Sequence, residues 1–332
     1  MRLIQFVEPQ GSRAIGVVDG TAVRQVNGAA SIRELALKAI AAGRPIAEEV
    51  RQSGLGASHD YDQLIAQGKV LPPLDHPDAA HMMIAGTGLT HIGSAASRSK
   101  MHDKASTGDE ADMNDTMRMF KWGLEGGKPA SGTQGVQPEW FYKGDGSMVV
   151  SPGAALDVPD FADDVGEEPE IVGLYVIGDD NRPYRVGFAI GNEVTDHVME
   201  KKNYLYLAHA KLRQCAFGPE LFVGDLPESI EGTARILRDG ETIWEKPFPT
   251  GEANMSHSIE NIEFHHFKYN QLLRAGDVHA IFMGTAVASF GDGIEAKVGD
   301  TFEIDIPLFG RPLINSTRAS KTEVGPGAIR SL

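Results

Sequence analysis

Two glutamates, Glu168 and Glu170, stand just ahead of an apolar, largely β-branched run at residues 171–177. In a strand, residues two apart point to the same side, so both carboxylates would project into one pocket. Converging carboxylates repel each other unless a cation lies between them, and hard oxygen ligands suit Mg²⁺, Mn²⁺ or Ca²⁺. A solvated strand edge gives the same pattern. The spacing therefore predicts either a divalent-metal site or an exposed edge.

Three residues further along the chain could complete such a site. Glu193 follows the next predicted strand, at 185–191, and an acid at the end of a neighbouring strand can supply a third ligand. His197 could also bind the metal, but with three carboxylates available a hydrogen-bonding role is favoured. Lys211 lies in the apolar segment 203–212, where an ammonium group needs a counter-charge. The carboxylate cluster is its obvious partner.

A short aromatic strand at 138–143 carries one charge near each end. Alternation places Glu139, Phe141 and Lys143 on one face, with Trp140 and Tyr142 on the other. The strand is either an edge protected by charged side chains or a pocket wall that carries an acid–base residue and a cation.

Gly284 and Thr285 end the apolar stretch 280–283. A turn of this composition exposes backbone N–H groups and a hydroxyl group. It is therefore a candidate cradle for a carboxylate.

Composition excludes several classes of function. The 332-residue chain has a formal net charge of −15 and no basic stripe, so we expect neither nucleic acid nor an anionic membrane as partner. It shows no signal-peptide core and no run long enough to span a bilayer. The single cysteine, Cys215, has apolar neighbours and is interpreted as a packing residue. Together these features predict a cytoplasmic protein.

The elements that must position these residues fall into two predicted domains. A small N-terminal α/β domain is expected at 1–75, with strands at 2–7 and 14–25 and a helix that starts at the Ser31/Glu34 capping box. The proline-rich segment 70–81 connects it to a metal-binding domain at 76–332. That domain has predicted strands at 232–238, 241–246, 278–284 and 301–306 and a helix at 259–275. Residues 99–137 form either a lid or a disordered insertion, with a helix at 112–124.

These motifs, in this order, resemble the fumarylacetoacetate hydrolase superfamily over residues 80–316. EPEIVGLYVIG is similar to the metal strand of that superfamily, GFAIGNEVTD to its next strand, AKLRQCAFGP to its lysine segment, and LLRAGDVHAIFMGT to its Gly-Thr segment. The resemblance implies an α+β fold, a mixed β-sandwich roll with a small N-terminal α/β region. It also implies a homodimer or homotetramer and a 2-keto acid bound to Mg²⁺ or Mn²⁺. The residues that the resemblance implies are the metal ligands Glu168, Glu170 and Glu193, the active-site lysine Lys211, and Gly284 and Thr285 at the substrate carboxylate.

Two departures from the superfamily pattern bear on the reaction. The third ligand is usually Asp, whereas this chain has the longer Glu193. Hydrolases and decarboxylases of the superfamily carry a water-activating His/Glu dyad, and this chain has Ser94 and Ser97 at those positions. In lacking the dyad, this chain is similar to the sugar-acid branch of the superfamily, which carries a serine and an arginine in this region. Ser94 and Arg98 would then bind sugar hydroxyls or the carboxylate.

The expected function is a Mg²⁺-dependent dehydratase of a 2-keto-3-deoxy sugar acid of five carbons, giving 2,5-dioxopentanoate. Glu139 would take the C3 proton, and Lys143 and Lys211 would steady the developing charge. One alternative is an acylpyruvate-type hydrolase or a 2-keto acid decarboxylase in which His102 or Glu110 replaces the dyad. Another is a non-catalytic sugar-acid binding protein.

Overall fold

The computed structural model describes residues 1–93 and 113–332. Ser94, Ser97, Arg98, His102 and Glu110 lie outside the described residues, and the roles expected for them stay predictions. Two mixed β-sheets form the body of the protein, and a few helices cover them. The predicted α+β fold is therefore confirmed.

Strands outnumber helices along the described parts of the chain. The strands are β1 (Arg2–Val7), β2 (Arg13–Asp19), β3 (Ala22–Val26), β4 (Leu55–Asp60), β5 (Val70–Leu71), β6 (Met82–Gly88), β7 (Glu139–Asp145), β8 (Val149–Val150), β9 (Leu156–Pro159), β10 (Pro169–Ile177), β11 (Pro183–Asn192), β12 (Cys215–Phe217), β13 (Leu221–Phe222), β14 (Ile230–Arg238), β15 (Glu241–Thr250), β16 (Val278–Phe282), β17 (Thr301–Asp305) and β18 (Leu313–Ser320). The helices are α1 (Ile32–Ala41), α2 (Ile46–Ser53), α3 (Tyr61–Ala66), α4 (Asp115–Gly126), α5 (His197–Lys202), α6 (Leu207–Lys211) and α7 (Ile259–Phe267).

The large sheet has the order β4-β3-β2-β1-β13-β11-β10-β16-β6-β7, and β5, β8 and β12 pair at its sides. The smaller sheet has the order β15-β14-β17-β18-β9. Most neighbours are antiparallel, whereas β16 pairs with β6 in parallel. Because β1 pairs with β13, the N-terminal strands extend the large sheet. The domain boundary at residue 75 stays a prediction.

Strand β10 lies at the centre of the packing, and every residue in it is buried. One of its faces contributes Ile171 and Tyr175 to a core shared with the smaller sheet. The other face contributes Val172 and Leu174 to a core that also contains Leu35 of α1. Burial on both sides explains why β10 is continuously apolar after Glu170, from Ile171 to Ile177, instead of alternating.

Local signals placed several element ends correctly. Ser31 Oγ accepts a hydrogen bond from the Glu34 N–H at the start of α1, as the capping box predicts. The predicted helix at 112–124 corresponds to α4, whose first turn is capped by Asn114. The helix predicted at 259–275 was too long, since α7 ends at Phe267 and the chain continues through a short 3₁₀ turn at Asn270–Leu272. None of residues 268–275 is buried.

Cys215 is fully buried in β12, in agreement with a packing role. Burial raises the pKa of its thiol to about 12. Among the residues that the structure describes, no helix is long and apolar enough to cross a membrane.

Candidate metal centre and active site

Strand pairing brings Glu168, Glu170 and Glu193 together. Glu170 is the second residue of β10, and Glu193 follows the last residue of β11. The antiparallel register pairs Pro169 with Asn192, and the Glu193 N–H donates to the Glu168 carbonyl oxygen over 3.0 Å. One carboxylate oxygen from each glutamate lies within 4.8 Å of the others, and all three side chains are buried.

Lys211, the last residue of α6, holds two of these carboxylates. Its Nζ donates to both oxygens of Glu168, at 2.7 and 2.8 Å, and to Glu193 Oε2 at 2.8 Å. The Thr195 hydroxyl, at 3.0 Å, accepts a further bond. The ammonium also lies over the Phe141 ring, 4.9 Å from its centroid. Lys211 therefore bridges the ends of β10 and β11 at the carboxylate cluster.

Lys143 is a second ammonium at the cluster, and it has no exposed surface. Its Nζ lies 2.5 Å from Glu193 Oε1 and donates to the carbonyl oxygens of Val194 and Lys211, both at 2.8 Å. Glu193 thus sits between two lysines, one at each carboxylate oxygen. These two contacts fix the side chain of Glu193, which is longer than the aspartate that is usual at this position in the superfamily.

The three carboxylates differ in their electrostatic surroundings. Burial raises the pKa of Glu170 well above its usual range, and the neighbouring Glu193 and Glu168 carboxylates raise it further. Burial would also raise the pKa of Glu168, but Lys211 and His197 outweigh it and hold that pKa well below its usual range. Glu170 instead accepts a bond from the Gly284 N–H, at 2.6 Å. Repulsion in the cluster is therefore concentrated on Glu170.

The residues present fit a hard divalent cation. Three buried carboxylates and two lysine ammonium groups meet at this point. Within the described residues, the lysines contact Glu168 and Glu193, whereas Glu170 has no hydrogen bond to a lysine. Oxygen donors in this number suit Mg²⁺ or Mn²⁺, which keep further positions for water or substrate oxygens. Glu168, Glu170 and Glu193 would hold the ion. His197 lies behind Glu168 and is not one of the converging groups.

His197 instead hydrogen-bonds Glu168, as favoured from the sequence, because its Nε2 lies 3.0 Å from Glu168 Oε1. Its Nδ1 faces Asp164 Oδ2 at 3.6 Å, and its ring stacks on Phe290 with the centroids 5.2 Å apart. Burial would lower the pKa of His197, but the carboxylates of Asp164 and Glu168 raise it to about 10. Asp164 and Phe290 were missed from the sequence because no short-range pattern links them to His197.

Strand β7 carries Glu139 on the same inward face as Phe141 and Lys143, whereas Trp140 is half-buried and Tyr142 is exposed. β7 is an edge strand of the large sheet, as one interpretation predicts, yet its charged residues point inward. Glu139 is 3% exposed, so it is not a surface acid.

Tyr204 contacts the carboxylate of Glu139. The Tyr204 hydroxyl donates to Glu139 Oε1 over 3.0 Å. On the paired strand, a Cβ at Gly88 would lie 2.2 Å from Glu139 Oε2, so only glycine leaves room for this carboxylate. Sequence reasoning missed Tyr204, since it comes from a turn that no motif marks.

The Gly284–Thr285 turn does cradle a carboxylate, that of Glu170. Gly284 has a φ of 88°, and its Cβ would lie 2.0 Å from Thr90 Oγ1. The Thr285 hydroxyl donates to the Val287 carbonyl oxygen over 2.6 Å. The roles expected for Gly284 and Thr285 at a substrate carboxylate stay predictions.

Comparison with known proteins agrees with this geometry. The family described as fumarylacetoacetate (FAA) hydrolase C-terminal matches residues 111–316. The chain belongs to this family. A probable 2-keto-3-deoxyxylonate dehydratase of Haloferax volcanii is 29% identical over 179 residues, which cover 52% of this chain and 58% of that relative. The match thus spans little more than half the length of this curated relative.

Solved structures share the whole fold. The apo form of a 2-keto-3-deoxy-D-arabinonate dehydratase superposes with a TM-score of 0.68 at 19% identity, covering 97% of this chain and 100% of that chain. A complex of 2-keto-3-deoxy-D-arabinonate dehydratase with magnesium and 2,5-dioxopentanoate gives 0.67 at 20% identity with the same coverage. A 5-carboxymethyl-2-hydroxymuconate delta-isomerase from Mycobacterium smegmatis gives 0.57 at 16% identity, covering 96% and 100%. Because the fold carries more than one activity, function must be argued from the site.

Proposed function

We propose that this protein is a Mg²⁺-dependent dehydratase that converts a 2-keto-3-deoxypentonate into 2,5-dioxopentanoate. The observation that carries the proposal is the buried cluster of Glu168, Glu170 and Glu193, with the inward-facing Glu139 on β7. The names of the Haloferax relative and of the magnesium complex support the same chemistry. Ser94 and Ser97 at the dyad positions speak against a hydrolase, because neither is a general base on its own.

The metal centre would bind the 1-carboxylate and the 2-keto oxygen of the substrate. When held by these carboxylates, Mg²⁺ or Mn²⁺ would supply Lewis-acid stabilisation of negative charge on the keto oxygen and so make the C3 protons more acidic. Lys211 holds Glu168 and Glu193 in place for this purpose. Lys143 contacts Glu193, and its expected role of steadying the developing charge is part of this proposal.

Glu139 would take the C3 proton. It lies two residues before Phe141, a distance of roughly 7 Å along a strand, and the Phe141 ring underlies Lys211 at the carboxylate cluster. We therefore expect a small substrate bound at the cluster to reach Glu139. Loss of the C4 hydroxyl forms a C3–C4 double bond. Proton transfers from C5 then give the aldehyde, with no oxidant needed.

The decisive assay uses both C4 enantiomers of 2-keto-3-deoxypentonate, because C4 is the only stereocentre left in that acid. Each is incubated with protein and Mg²⁺, and 2,5-dioxopentanoate is measured by NMR. We expect one enantiomer to react and the Glu170→Gln variant to be inactive. Glu231→Gln, on the exposed side of β14, is the matched control and should retain full activity.

Two outcomes would contradict this proposal. Release of pyruvate from an acylpyruvate without any dehydration would assign a hydrolase. Full activity of Glu170→Gln would refute the metal centre. The cytoplasmic location and the homodimer or homotetramer also remain proposals, and light scattering of the purified protein tests the second.

A further inference from the structure

The Tyr204–Glu139 pair contains a phenol, which can donate a proton, beside the carboxylate that is proposed as the base. Tyr204 lies in the short 3₁₀ turn Tyr204–Tyr206, between α5 and α6. Its hydroxyl donates to Glu139 Oε1 over 3.0 Å. Glu139 is 3% exposed and Tyr204 is 38% exposed, so a partly accessible phenol adjoins a buried carboxylate.

One segment of chain supplies both Tyr204 and Lys211 to the same face of β7. Lys211 lies over Phe141, and Lys143 of β7 donates to the Lys211 carbonyl oxygen over 2.8 Å. Tyr204 lies over Glu139, the residue two positions before Phe141 on that face. The segment thus runs along β7, with the ammonium at the carboxylate cluster and the phenol at the base. The phenol, the carboxylate of Glu139 and the ammonium therefore share one face of β7, and we expect a 2-keto acid held at the cluster to extend along it.

Dehydration needs an acid as well as a base, because hydroxide is a poor leaving group. We propose that Tyr204 is that acid, an assignment that rests on the proposed function. Glu139 takes a proton from C3, the C3–C4 double bond forms, and the C4–O bond breaks. The Tyr204 hydroxyl proton goes to the departing oxygen, which leaves as water.

The 3.0 Å hydrogen bond closes the proton cycle. After elimination, Glu139 carries the C3 proton and Tyr204 is a phenolate. Transfer of that proton from Glu139 to the Tyr204 oxygen restores both groups to their starting states. Atoms and charges balance without another reactant. Because one pair handles both groups, C3–H and C4–OH are lost from the same side of the substrate.

The test separates proton removal at C3 from departure of the C4 hydroxyl. Pyruvate is a 2-keto acid without a C4 hydroxyl, and exchange of its methyl protons with D₂O, followed by NMR, reports only the base. We expect Tyr204→Phe to exchange pyruvate within about threefold of wild type, while its kcat for dehydration falls by about 10²–10³-fold. Glu139→Gln should lose both reactions.

Tyr206→Phe is the matched control, since Tyr206 lies in the same turn and its ring contacts His209. It should change neither reaction. Calorimetry of Mn²⁺ and pyruvate binding checks that Tyr204→Phe keeps an intact site, with dissociation constants within about twofold of wild type, a difference of about 0.4 kcal/mol.

Three results would overturn the assignment. Wild-type dehydration by Tyr204→Phe would show that the phenol donates no proton. Loss of exchange together with dehydration would show that the hydroxyl only positions Glu139. If wild type exchanges pyruvate but dehydrates neither enantiomer, the proposed function itself fails, and the acid role of Tyr204 falls with it.

Discussion

Replacing Glu170 by Gln should have opposite effects on stability and on metal binding. Glu170 is the buried carboxylate on which the repulsion of the cluster is concentrated. Its carboxylate lies within 4.8 Å of the other two, and at an effective dielectric constant of about 20 each such pair of charges repels by about 3.5 kcal/mol. An amide of the same shape removes that repulsion and also removes a metal ligand.

The expected gain in stability is smaller than this repulsion, because wild type relieves part of it by protonating Glu170. A carboxyl whose pKa is raised on folding costs stability as the pH rises above its unfolded value, near 4.3, towards its folded value. The Gln variant has no such cost. The weaker bond from the Gly284 N–H offsets about 1 kcal/mol. We therefore expect metal-free Glu170→Gln to be more stable than wild type by about 1–3 kcal/mol at pH 8.

The assay is urea unfolding of metal-free protein between pH 6 and 9, followed by calorimetric titration with Mn²⁺. Wild type should lose stability with rising pH relative to the variant, and only wild type should be stabilised by Mn²⁺. Glu231→Gln, on an exposed position of β14, controls for the general effect of removing a negative charge. A variant less stable than wild type at every pH, or one that binds Mn²⁺ equally well, would refute the electrostatic account of the cluster.

Three further predictions concern other parts of the site and the core. Gly284→Ala should destabilise the protein by about 1–3 kcal/mol more than Gly293→Ala, as measured by urea unfolding. Both glycines have a positive φ, but only at Gly284 would the added Cβ lie closer than 4 Å to other atoms. His197→Gln should weaken Mn²⁺ binding by about 10–100-fold in calorimetry, since it removes a partner of a ligand carboxylate; unchanged affinity would contradict this. Burial lowers the pKa of His266 to about 3 and the pKa of His279 to about 4, whereas both have a pKa near 6.5 in the unfolded chain. The free energy of unfolding is therefore kept above a pH of about 6.5 and falls below it, by about 2.7 kcal/mol per pH unit for the pair. Unfolding at pH 7 and pH 5 measures the pH dependence, and His279→Gln should lessen it by about 1.4 kcal/mol per pH unit, the share of one histidine.

Local periodicity made part of the site predictable from the sequence. The spacing of Glu168 and Glu170 and the alternation along β7 depend only on strand geometry, so the shared face of Glu139, Phe141 and Lys143 was expected and is observed. Capping signals likewise placed the start of α1. The helix at 259–275 was over-extended because propensity carries little information on where tertiary packing ends a helix.

Only the tertiary structure decided which of these residues meet. The sequence by itself determined that two carboxylates share a face and that a third could join them. The register of β10 on β11 determines that Glu193 meets Glu168, and register depends on contacts between residues distant in the chain. Tyr204 reaches Glu139 from 65 positions away, through a turn with no motif of its own. Strand geometry repeats every two residues and can be read locally, whereas packing between elements is set by the whole fold.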